Sequence, residues 1–252
     1  MHIMKAVMAV AAGKKFLPTD ISGLKLWLDA SAITGVSDGG TITTWPDMSG
    51  NGYDATQATA SAKPVFKTNI LNGKPVVRAN GSKSMFLSSG LDMLRKAPGV
   101  TIFAVAKLDA VGADSQYIFY AARGGGDAPR AALCYHNSVF ALRYRRLDSD
   151  STSTLSGAAA DTDWHIHGAL LDFSTGFSGI YIDAAESNTG SPSTGLFSDT
   201  SSSAIAIFSD DHSNYRWNGD IAEIIVYNTA LSADDIQKIN KYLSQKYGIA
   251  LS

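Results

Sequence analysis

Residues 100–108 read VTIFAVAKL, a run in which almost every side chain is apolar. A short run of this kind is typical of an inner β-strand that is covered on both faces. Residues 139–146, VFALRYRR, instead alternate strongly, with apolar side chains on one face and arginines on the other. We expect this basic face to be solvated or salt-bridged, with an acidic glycan or the acidic rim of a partner as the alternative. Residues 24–29 and 221–227 alternate in the same way. This period of two predicts β-strands along most of the chain.

Segments rich in Gly, Asp and Ser separate the strands. They occur at residues 37–40 (SDGG), 49–52 (SGNG), 123–129 (RGGGDAP) and 187–203. Gly tolerates the positive φ angles of tight turns, and Asp side chains hydrogen-bond the turn backbone. About a dozen short strands punctuated in this way predict an all-β fold, an antiparallel two-sheet sandwich. The last segment is predicted to be a surface loop because the strand pattern resumes after it.

One helix is predicted, at the C-terminal end of the chain. Ser232 is placed to cap it, with Asp235 three residues later as in a variant of the capping box. Apolar side chains then recur at helical spacing, and Gly248 suits the position just past the helix end. The apolar stripe consists of Ile236, Ile239, Leu243 and Tyr247. We expect this stripe to pack against the sandwich.

Composition excludes several classes of protein. The 252 residues carry a formal net charge of −2, so a phosphate-binding surface, and with it nucleic acid as a partner, is not expected. Cys134 is the only cysteine, which excludes an intrachain disulfide and any zinc site that needs several thiolates. No apolar run reaches the roughly 18 residues that a membrane helix needs.

Four segments carry a resemblance to a known family. They are residues 24–30 (LKLWLDA), 45–57 (WPDMSGNGYDATQ), 163–183 (DWHIHGALLDFSTGFSGIYID) and 217–248 (WNGDIAEIIVYNTALSADDIQKINKYLSQKYG). In this order they resemble the laminin-G-like jelly-roll domains of secreted and viral proteins, which are concanavalin A-like sandwiches. Ala184 stands where that family usually has glycine, so the turn there is expected to differ. The resemblance implies a jelly-roll sandwich, frequent glycan or protein binding, and in some members a calcium ion, but it fixes no ligand.

The resemblance begins near residue 24, so residues 21–252 are predicted to form the sandwich domain and residues 1–20 an N-terminal arm. Residues 1–12 read MHIMKAVMAVAA, and Lys5 interrupts their apolar run. A short, interrupted run is a poor match to a signal peptide. We therefore expect the arm to dock on a partner protein or on a sister subunit, or else to pack under the domain.

Residues 45–54, WPDMSGNGYD, have two interpretations. Asp47 is placed to accept N–H groups from the turn that follows it, which would make the segment a rigid structural loop. Alternatively, Asp47, Asn51 and Asp54 supply oxygen ligands to a cation, and Ca²⁺ is the ion that such ligands favour. Ca²⁺ needs about six or more oxygens, which this segment alone does not supply. Neither interpretation requires another cofactor.

Few residues suit catalysis. Glucanases of concanavalin-like fold use carboxylates of an E-x-D-x-x-E strand, which face each other across the bond that they cleave. The nearest pair here is Asp220 and Glu223, which are an odd number of residues apart and are therefore expected on opposite faces of a strand. His165 and His167 share a strand face, but no nearby glutamate completes a metal site. We therefore predict no enzymatic activity, with a polysaccharide hydrolase or lyase as the disfavoured alternative.

Two loops have the composition of a sugar-binding site. Residues 209–217, SDDHSNYRW, combine carboxylates, an amide, an arginine and two aromatic rings. Such rings stack on the apolar face of a pyranose, and planar polar groups pair with its hydroxyls. The ligand-binding residues predicted in this loop are Asp210, Asp211, Asn214, Tyr215, Arg216 and Trp217. A second set, in residues 123–130, consists of Arg123, Asp127 and Arg130.

From these observations we predict a non-catalytic, lectin-like module that binds a glycan or another cell-surface polymer. Relatives found in phages suggest a virion protein of the tail, the spike or the head decoration, and hence an extracellular or virion-surface location. The alternative is a purely structural decoration protein that attaches to other virion proteins through its N-terminal arm. A homo-oligomer is compatible with either role, and neither role involves nucleic acid or a membrane span.

Overall fold

The computed structural model describes residues 15–112, 114–122, 129–210 and 215–252. Residues 1–14 of the predicted arm lie outside the described residues, and so do four of the predicted site residues. These four are Arg123, Asp127, Asp211 and Asn214. In the part of the chain that is described, no helix is both long and apolar enough to cross a membrane.

The described residues form sixteen β-strands and one α-helix. The first eight strands are β1 (Leu24–Asp29), β2 (Thr44–Trp45), β3 (Ala55–Thr56), β4 (Val65–Leu71), β5 (Lys74–Asn80), β6 (Met85–Leu87), β7 (Gly99–Leu108) and β8 (Gln116–Ala122). The others are β9 (Pro129–His136), β10 (Val139–Tyr144), β11 (Ser153–Ala159), β12 (His165–Asp172), β13 (Phe177–Ile182), β14 (Ala185–Gly190), β15 (Ala204–Ile207) and β16 (Asn218–Tyr227). The helix is α1 (Ala233–Tyr247), and short 3₁₀ turns lie at Pro18–Asp20, Ala30–Ala32 and Ala60–Ala62.

The strands form two antiparallel sheets of eight strands each, which confirms the predicted two-sheet sandwich. Sheet 1 has the order β14-β13-β12-β7-β16-β5-β4, and β1 pairs with β16. Sheet 2 has the order β11-β10-β9-β8-β15-β6-β3-β2. The apolar run at residues 100–108 forms β7, between β12 and β16 at the centre of sheet 1, as its covered character predicts.

The main hydrophobic core lies between the two sheets. Alternate residues of each strand enter it, so Phe140 and Leu142 of β10 face Ile102 and Ala104 of β7 within one buried cluster. Full burial of each such large apolar side chain is worth about 1.5–3 kcal/mol relative to leaving it exposed. Trp45 and Trp217 are completely buried in the same cluster.

Helix α1 covers the outer face of sheet 1, as predicted. Ser232 caps its start by accepting a hydrogen bond from the backbone N–H of Asp235 at 3.2 Å. Gly248 ends it with a φ of 70°, in the left-handed region that glycine adopts at low cost. The stripe packs on a second cluster of buried side chains that includes Trp27 and Phe103. Its members Ile239, Leu243 and Tyr247 are buried, and Ile236 is partly buried.

The outer face of sheet 2 is also buried, which contradicts the expectation of a solvated basic face. Only 7% of Arg143 and 8% of Arg145 are exposed. Arg143 donates a hydrogen bond to the hydroxyl of Tyr117, and Arg145 donates one to the carbonyl of Asp148 at 2.8 Å. The middle of this face is formed by small side chains, namely Ala122, Ala132, Cys134, Ala141 and Ala206.

Two local predictions need correction. First, the alternation predicted for residues 221–227 is interrupted, because β16 contains a bulge opposite β7 between Ile221 and Glu223. The bulge places Ile221 in the inter-sheet core, whereas Ala222 and Ile225 join the cluster beneath α1. The stretch at 187–203 is a loop only from residue 191, because its first residues pair with β13 as β14.

Candidate functional site

An open groove of about 500 Å³ lies at one edge of the sandwich. One wall follows β7 in the chain and leads into β8, and the other wall leads into β16. Backbone hydrogen bonds join the walls, from Asp109 N to Asn218 O at 3.0 Å and from Tyr117 N to Tyr215 O at 3.3 Å. The groove is lined by Ala110, Val111, Gly112, Asp114, Ser115, Gln116, Tyr215, Arg216 and Asn218.

Tyr215 is the exposed aromatic side chain of this groove. It is 42% exposed, although its backbone carbonyl accepts the hydrogen bond from the N–H of Tyr117 across the groove. Its φ of 42° is uncommon for a residue with a bulky side chain, and such conformations occur preferentially at binding sites. The ring meets the buried Tyr117 edge to face, with 6.3 Å between the centroids. The fold therefore holds an aromatic ring at the surface of the groove.

Polar groups surround this ring. Arg216 Nη1 donates a hydrogen bond to the carbonyl of Ser82 at 2.8 Å, which orients the guanidinium group. Gln116 accepts from the backbone N–H of Asn218 at 3.0 Å, so its carboxamide is oriented by the chain. Ser115 Oγ lies 2.6 Å from Nδ1 of His136. The groove thus combines an amide, a guanidinium group, a hydroxyl and a carboxylate with an exposed ring and with the apolar Val111.

The structure brings together only part of the residue set predicted for this loop. Tyr215 and Arg216 line the groove, but Asp210 is 2% exposed and Trp217 is fully buried. The indole of Trp217 packs in the core with its ring 6.0 Å from that of Tyr135. Asp210 and Trp217 therefore do not line the groove.

Arg130, from the second predicted set, lies elsewhere. It is fully buried, and its guanidinium group donates to Asp148 at 2.8 Å and to the carbonyl of Thr200 at 2.5 Å. The strand register places residue 122 of β8 beside β9 and the start of β15, whereas Tyr215 contacts the other end of β8. Of the described residues, Arg130 therefore lies near the end of β8 that is opposite to the end contacted by Tyr215.

The Asp47 carboxylate is saturated by protein donors. Its Oδ1 accepts from the backbone N–H groups of Trp27 and Ser49, and its Oδ2 accepts from Ser49 Oγ and from the N–H of Tyr53, all within 3.0 Å. Asp54 accepts from the N–H of Asp47 at 2.8 Å. Asn51 points its amide nitrogen, a donor, at the carbonyls of residues 24 and 25. These bonds match the structural-loop interpretation, and a cation here would have to displace several of them.

The two strand histidines have opposite environments. His165 lies between Asp183, at 2.7 Å from Nδ1, and Asp161, at 3.0 Å from Nε2. The hydrogen bond to Asp183 is the main reason that the pKa of His165 rises to about 9. His167 is fully buried beside the hydroxyl of Tyr135, and burial lowers its pKa to about 3. Among the described residues, no group of three or more potential ligands is arranged for a metal ion.

The Asp220–Glu223 pair does not form a catalytic dyad. The bulge in β16 brings both carboxylates to the side of sheet 1 that faces α1, so the predicted placement on opposite faces is wrong. Asp220 forms a two-pronged ion pair with Arg78, with both distances at 2.7 Å. Glu223 is enclosed beneath the helix, where burial raises its pKa. Neither carboxylate lines the groove.

Sequence reasoning missed one wall of the groove. Val111, Asp114, Ser115 and Gln116 belong to the connection DAVGADSQ at residues 109–116. Its Gly, Asp and Ser content is typical of a loop between two strands, and this composition could have indicated that the segment was a candidate wall of the site. The pairing of this loop with residues 215–218 follows from β7 and β16 being neighbours, which the local pattern does not reveal.

Comparison with known proteins gives a family match. The model of the concanavalin A-like lectin/glucanases superfamily matches residues 79–237, which is more than half of the chain. That stretch contains both walls of the groove. Among curated proteins, none matches the sequence significantly.

Several solved structures share the fold. Trypanosoma rangeli sialidase, in complex with the inhibitor DANA, has a TM-score of 0.61 at 17% identity, over 94% of this chain and 36% of that chain. A botulinum neurotoxin type C structure, which concerns interaction with two ganglioside molecules, has a TM-score of 0.58 at 12% identity, over 89% of this chain and 52% of that chain. The CBM40 of the Ruminococcus gnavus IT-sialidase has a TM-score of 0.55 at 16% identity, over 66% of this chain and 96% of that chain. At such identities the likeness shows a common fold, and the chain spans at most about half of the sialidase and toxin chains.

Proposed function

This chain belongs to the concanavalin A-like lectin/glucanases superfamily, and we propose that it is a non-catalytic, lectin-like module that binds a glycan in the groove between residues 110–116 and 215–218. The observation that carries this proposal is Tyr215, an exposed ring fixed by its backbone among oriented polar groups. A pyranose presents an apolar face and a rim of hydroxyls, so a ring with adjacent amide, hydroxyl and guanidinium groups matches it.

The structural neighbours support a glycan ligand and suggest which class of glycan to test first. Two of them are named for sialidases, and a third concerns ganglioside binding by a toxin. Arg216 would supply a cation beside the ring for the carboxylate of an acidic sugar. Sialylated glycans are therefore the first class to test, and their uncharged counterparts are the natural comparison.

We propose a binding role and no hydrolysis because the carboxylates that could act together are engaged elsewhere. Hydrolysis of a glycosidic bond needs two carboxyl groups on either side of the scissile bond. Asp114 is the one carboxylate among the described residues of the groove, whereas Asp220 and Glu223 bind Arg78 and Lys246. A hydrolysis screen with sialylated and neutral oligosaccharides addresses this point, and turnover of any of them would contradict it.

The location of the domain completes the proposal. A lectin-like module that is displayed on a virion or a cell surface would be carried by its N-terminal arm, docked on a neighbouring protein or a sister subunit. Residues 1–14 of that arm lie outside the described residues, so this part rests on the sequence. Removal of residues 1–14 should weaken co-assembly with a partner while leaving the melting temperature of the domain unchanged.

A glycan array followed by titration tests the binding site. The array identifies a ligand, and calorimetry then compares the parent protein with the Tyr215→Ala variant. We expect the dissociation constant to rise at least about tenfold, which corresponds to about 1.4 kcal/mol. Tyr215→Phe keeps the ring and should bind nearly as well as the parent if stacking dominates.

Leu196→Ala is the matched control, because Leu196 is a large side chain that is 48% exposed and does not line the groove. It should leave affinity unchanged. An affinity that is unaltered in Tyr215→Ala would exclude this groove as the site. Absence of any ligand on a broad array would favour the structural decoration role instead.

A further inference from the structure

A buried charge cluster beneath α1 has no part in the proposed glycan site. Lys246 Nζ, in the last turn of the helix, lies 2.6 Å from Oδ2 of Asp29 and 2.6 Å from Oε2 of Glu223. Asp29 ends β1, and Glu223 lies in the middle of β16. The side chains of Lys246, Asp29 and Glu223 are 11%, 14% and 0% exposed. An amine and two carboxyl groups are thus held in contact, with Glu223 fully enclosed and with Lys246 and Asp29 lining an open pocket.

Aromatic side chains enclose these three groups and fix the central carboxylate. Glu223 Oε1 accepts from Trp27 Nε1 at 2.6 Å and from the hydroxyl of Tyr242 at 3.0 Å. Its Oε2 accepts from the hydroxyl of Tyr247 at 2.8 Å as well as from Lys246. Charged groups that are removed from water carry a large desolvation cost, which mutual attraction only partly offsets. A change that neutralises Lys246 and one carboxylate together would remove much of that cost.

The Asp29 carboxyl is oriented like an acyl group that is ready for attack. Its Oδ1 accepts the backbone N–H of Ser31 at 2.8 Å, so this oxygen is polarised by a fixed donor. Its Oδ2, which is bonded to the carbon Cγ, lies 2.6 Å from Lys246 Nζ, the nucleophile. Fixed donors of this kind stabilise the negative charge that develops on oxygen in a tetrahedral intermediate.

We propose that Lys246 and Asp29 condense to form an intramolecular isopeptide bond, with Glu223 as the proton carrier. The Lys246 ammonium gives a proton to Glu223, and the neutral amine attacks Cγ of Asp29. The tetrahedral intermediate keeps its developing charge on Oδ1, beside the N–H of Ser31. Glu223 passes this first proton to Oδ2, takes a second proton from the nitrogen of the intermediate and transfers it to Oδ2 as well, so that Oδ2 leaves as water when the C–O bond breaks. The products are one amide and one water molecule, and Glu223 returns to its initial state.

Proximity supplies the driving force that this condensation lacks in free solution. Groups held in reactive geometry reach effective concentrations of roughly 10⁵–10⁸ M, because their translational freedom is already lost. The reaction also removes one ammonium and one carboxylate charge from a buried site. The bond would tie β1 to α1 and so join two segments that lie near opposite ends of the chain.

Mass spectrometry of the intact, denatured full-length protein tests this inference directly. We expect a mass lower than that of the sequence by one water molecule. We also expect a branched tryptic peptide that joins the segment around Asp29 to the segment around Lys246, because trypsin does not cleave after an acylated lysine. A full-length mass equal to that of the sequence, with both side chains unmodified, would show that the cluster is a salt bridge only.

Three variants then assign the roles. Lys246→Arg cannot form the amide and should show the full mass. Asp29→Asn should lose ammonia in place of water and reach the same final mass as the parent. Glu223→Gln keeps the size of the side chain but cannot accept the proton, so it should retain the full mass. Loss of water from Glu223→Gln would overturn the role of Glu223. A mass deficit located on any other residue pair would overturn the bond itself.

Discussion

The cluster beneath α1 and the groove at residues 110–116 and 215–218 use similar side chains in opposite ways. Each contains tyrosine, a cationic side chain and a carboxylate. Beneath the helix the polar atoms bind one another, and Glu223 alone accepts hydrogen bonds from four donors. In the groove the backbone orients Gln116 and Tyr215 while Tyr215 stays exposed.

The difference shows how residue composition alone misleads. A polar group that is buried and fully paired stabilises one structure and is unavailable to a ligand. In the groove, Ser115 and Gln116 are themselves largely buried and hydrogen-bonded, whereas Tyr215 and Asp114 are exposed and accessible to a partner. Substitutions beneath α1 should therefore change stability, and substitutions in the groove should change binding, which gives the following predictions in order of expected effect.

Glu223→Ala should have the largest effect on stability. It removes the acceptor of the Trp27 indole and of two tyrosine hydroxyls and one of the two carboxylate partners of Lys246, which keeps Asp29. Loss of one partner of a buried ion pair costs about 3–5 kcal/mol. Urea denaturation followed by tryptophan fluorescence measures the change. Glu186, the other glutamate of the chain, is exposed on β14, so Glu186→Ala is the control and should alter the free energy of unfolding by less than about 0.5 kcal/mol. Equal effects of the two substitutions would contradict the account.

Leu243→Ala should be the next most destabilising change. Leu243 is fully buried between α1 and sheet 1, and removal of such a side chain costs about 2–5 kcal/mol through lost burial and the remaining cavity. Lys241→Ala lies on the exposed side of the same helix and controls for helix propensity. A loss below about 0.5 kcal/mol for Leu243→Ala would mean that the stripe faces solvent.

The fold was largely predictable because its determinants are local. Alternation along β10, the apolar run of β7 and the cap residues Ser232 and Gly248 each act within a few positions. The bulge in β16 was not predictable, because it depends on how β16 pairs with β7 and not on its own sequence. The same limit explains why Trp217 and Asp210 were placed at the surface of the site. Burial of a loop residue is decided by the sheet that packs on it.

The strand histidines predict opposite pH dependences of stability. The pKa of His165 rises from its ordinary 6.5 to about 9, chiefly through its hydrogen bond to Asp183. The stabilisation is fully present below pH 6.5 and is lost as the pH rises through about 9, because only the folded state keeps the proton there. Burial lowers the pKa of His167 to about 3, so its contribution is full above pH 6.5 and falls as the medium becomes more acidic.

Denaturation between about pH 3 and about pH 10 checks these signs, because this range spans the pKa values of both groups in the folded state. His165→Asn should remove the fall in stability on the alkaline side and leave the acid side unchanged. His167→Asn should lower stability overall and flatten the acid side. A parent protein whose stability rises steadily through the alkaline range would be inconsistent with the His165–Asp183 pair.

Tyr215→Ala should have the smallest effect on stability. Its side chain is largely outside the core, so we expect the free energy of unfolding to change by less than about 0.5 kcal/mol. Thermal denaturation monitored by circular dichroism measures this change. A decrease of several kcal/mol in the free energy of unfolding would show that the ring stabilises the fold by packing against Tyr117. That result would remove the basis for a binding role.

Amide chemical-shift mapping tests the distinction between the two regions most directly. The ¹⁵N-labelled protein is titrated with the glycan that the array identifies, and the same glycan is added to Tyr215→Ala at equal concentrations. The account predicts that shifts concentrate at residues 110–116 and 215–218, that α1 is unaffected, and that the variant shows almost none of them. Shifts centred on Lys246 and its neighbours in α1, or shifts that persist unchanged in Tyr215→Ala, would contradict it.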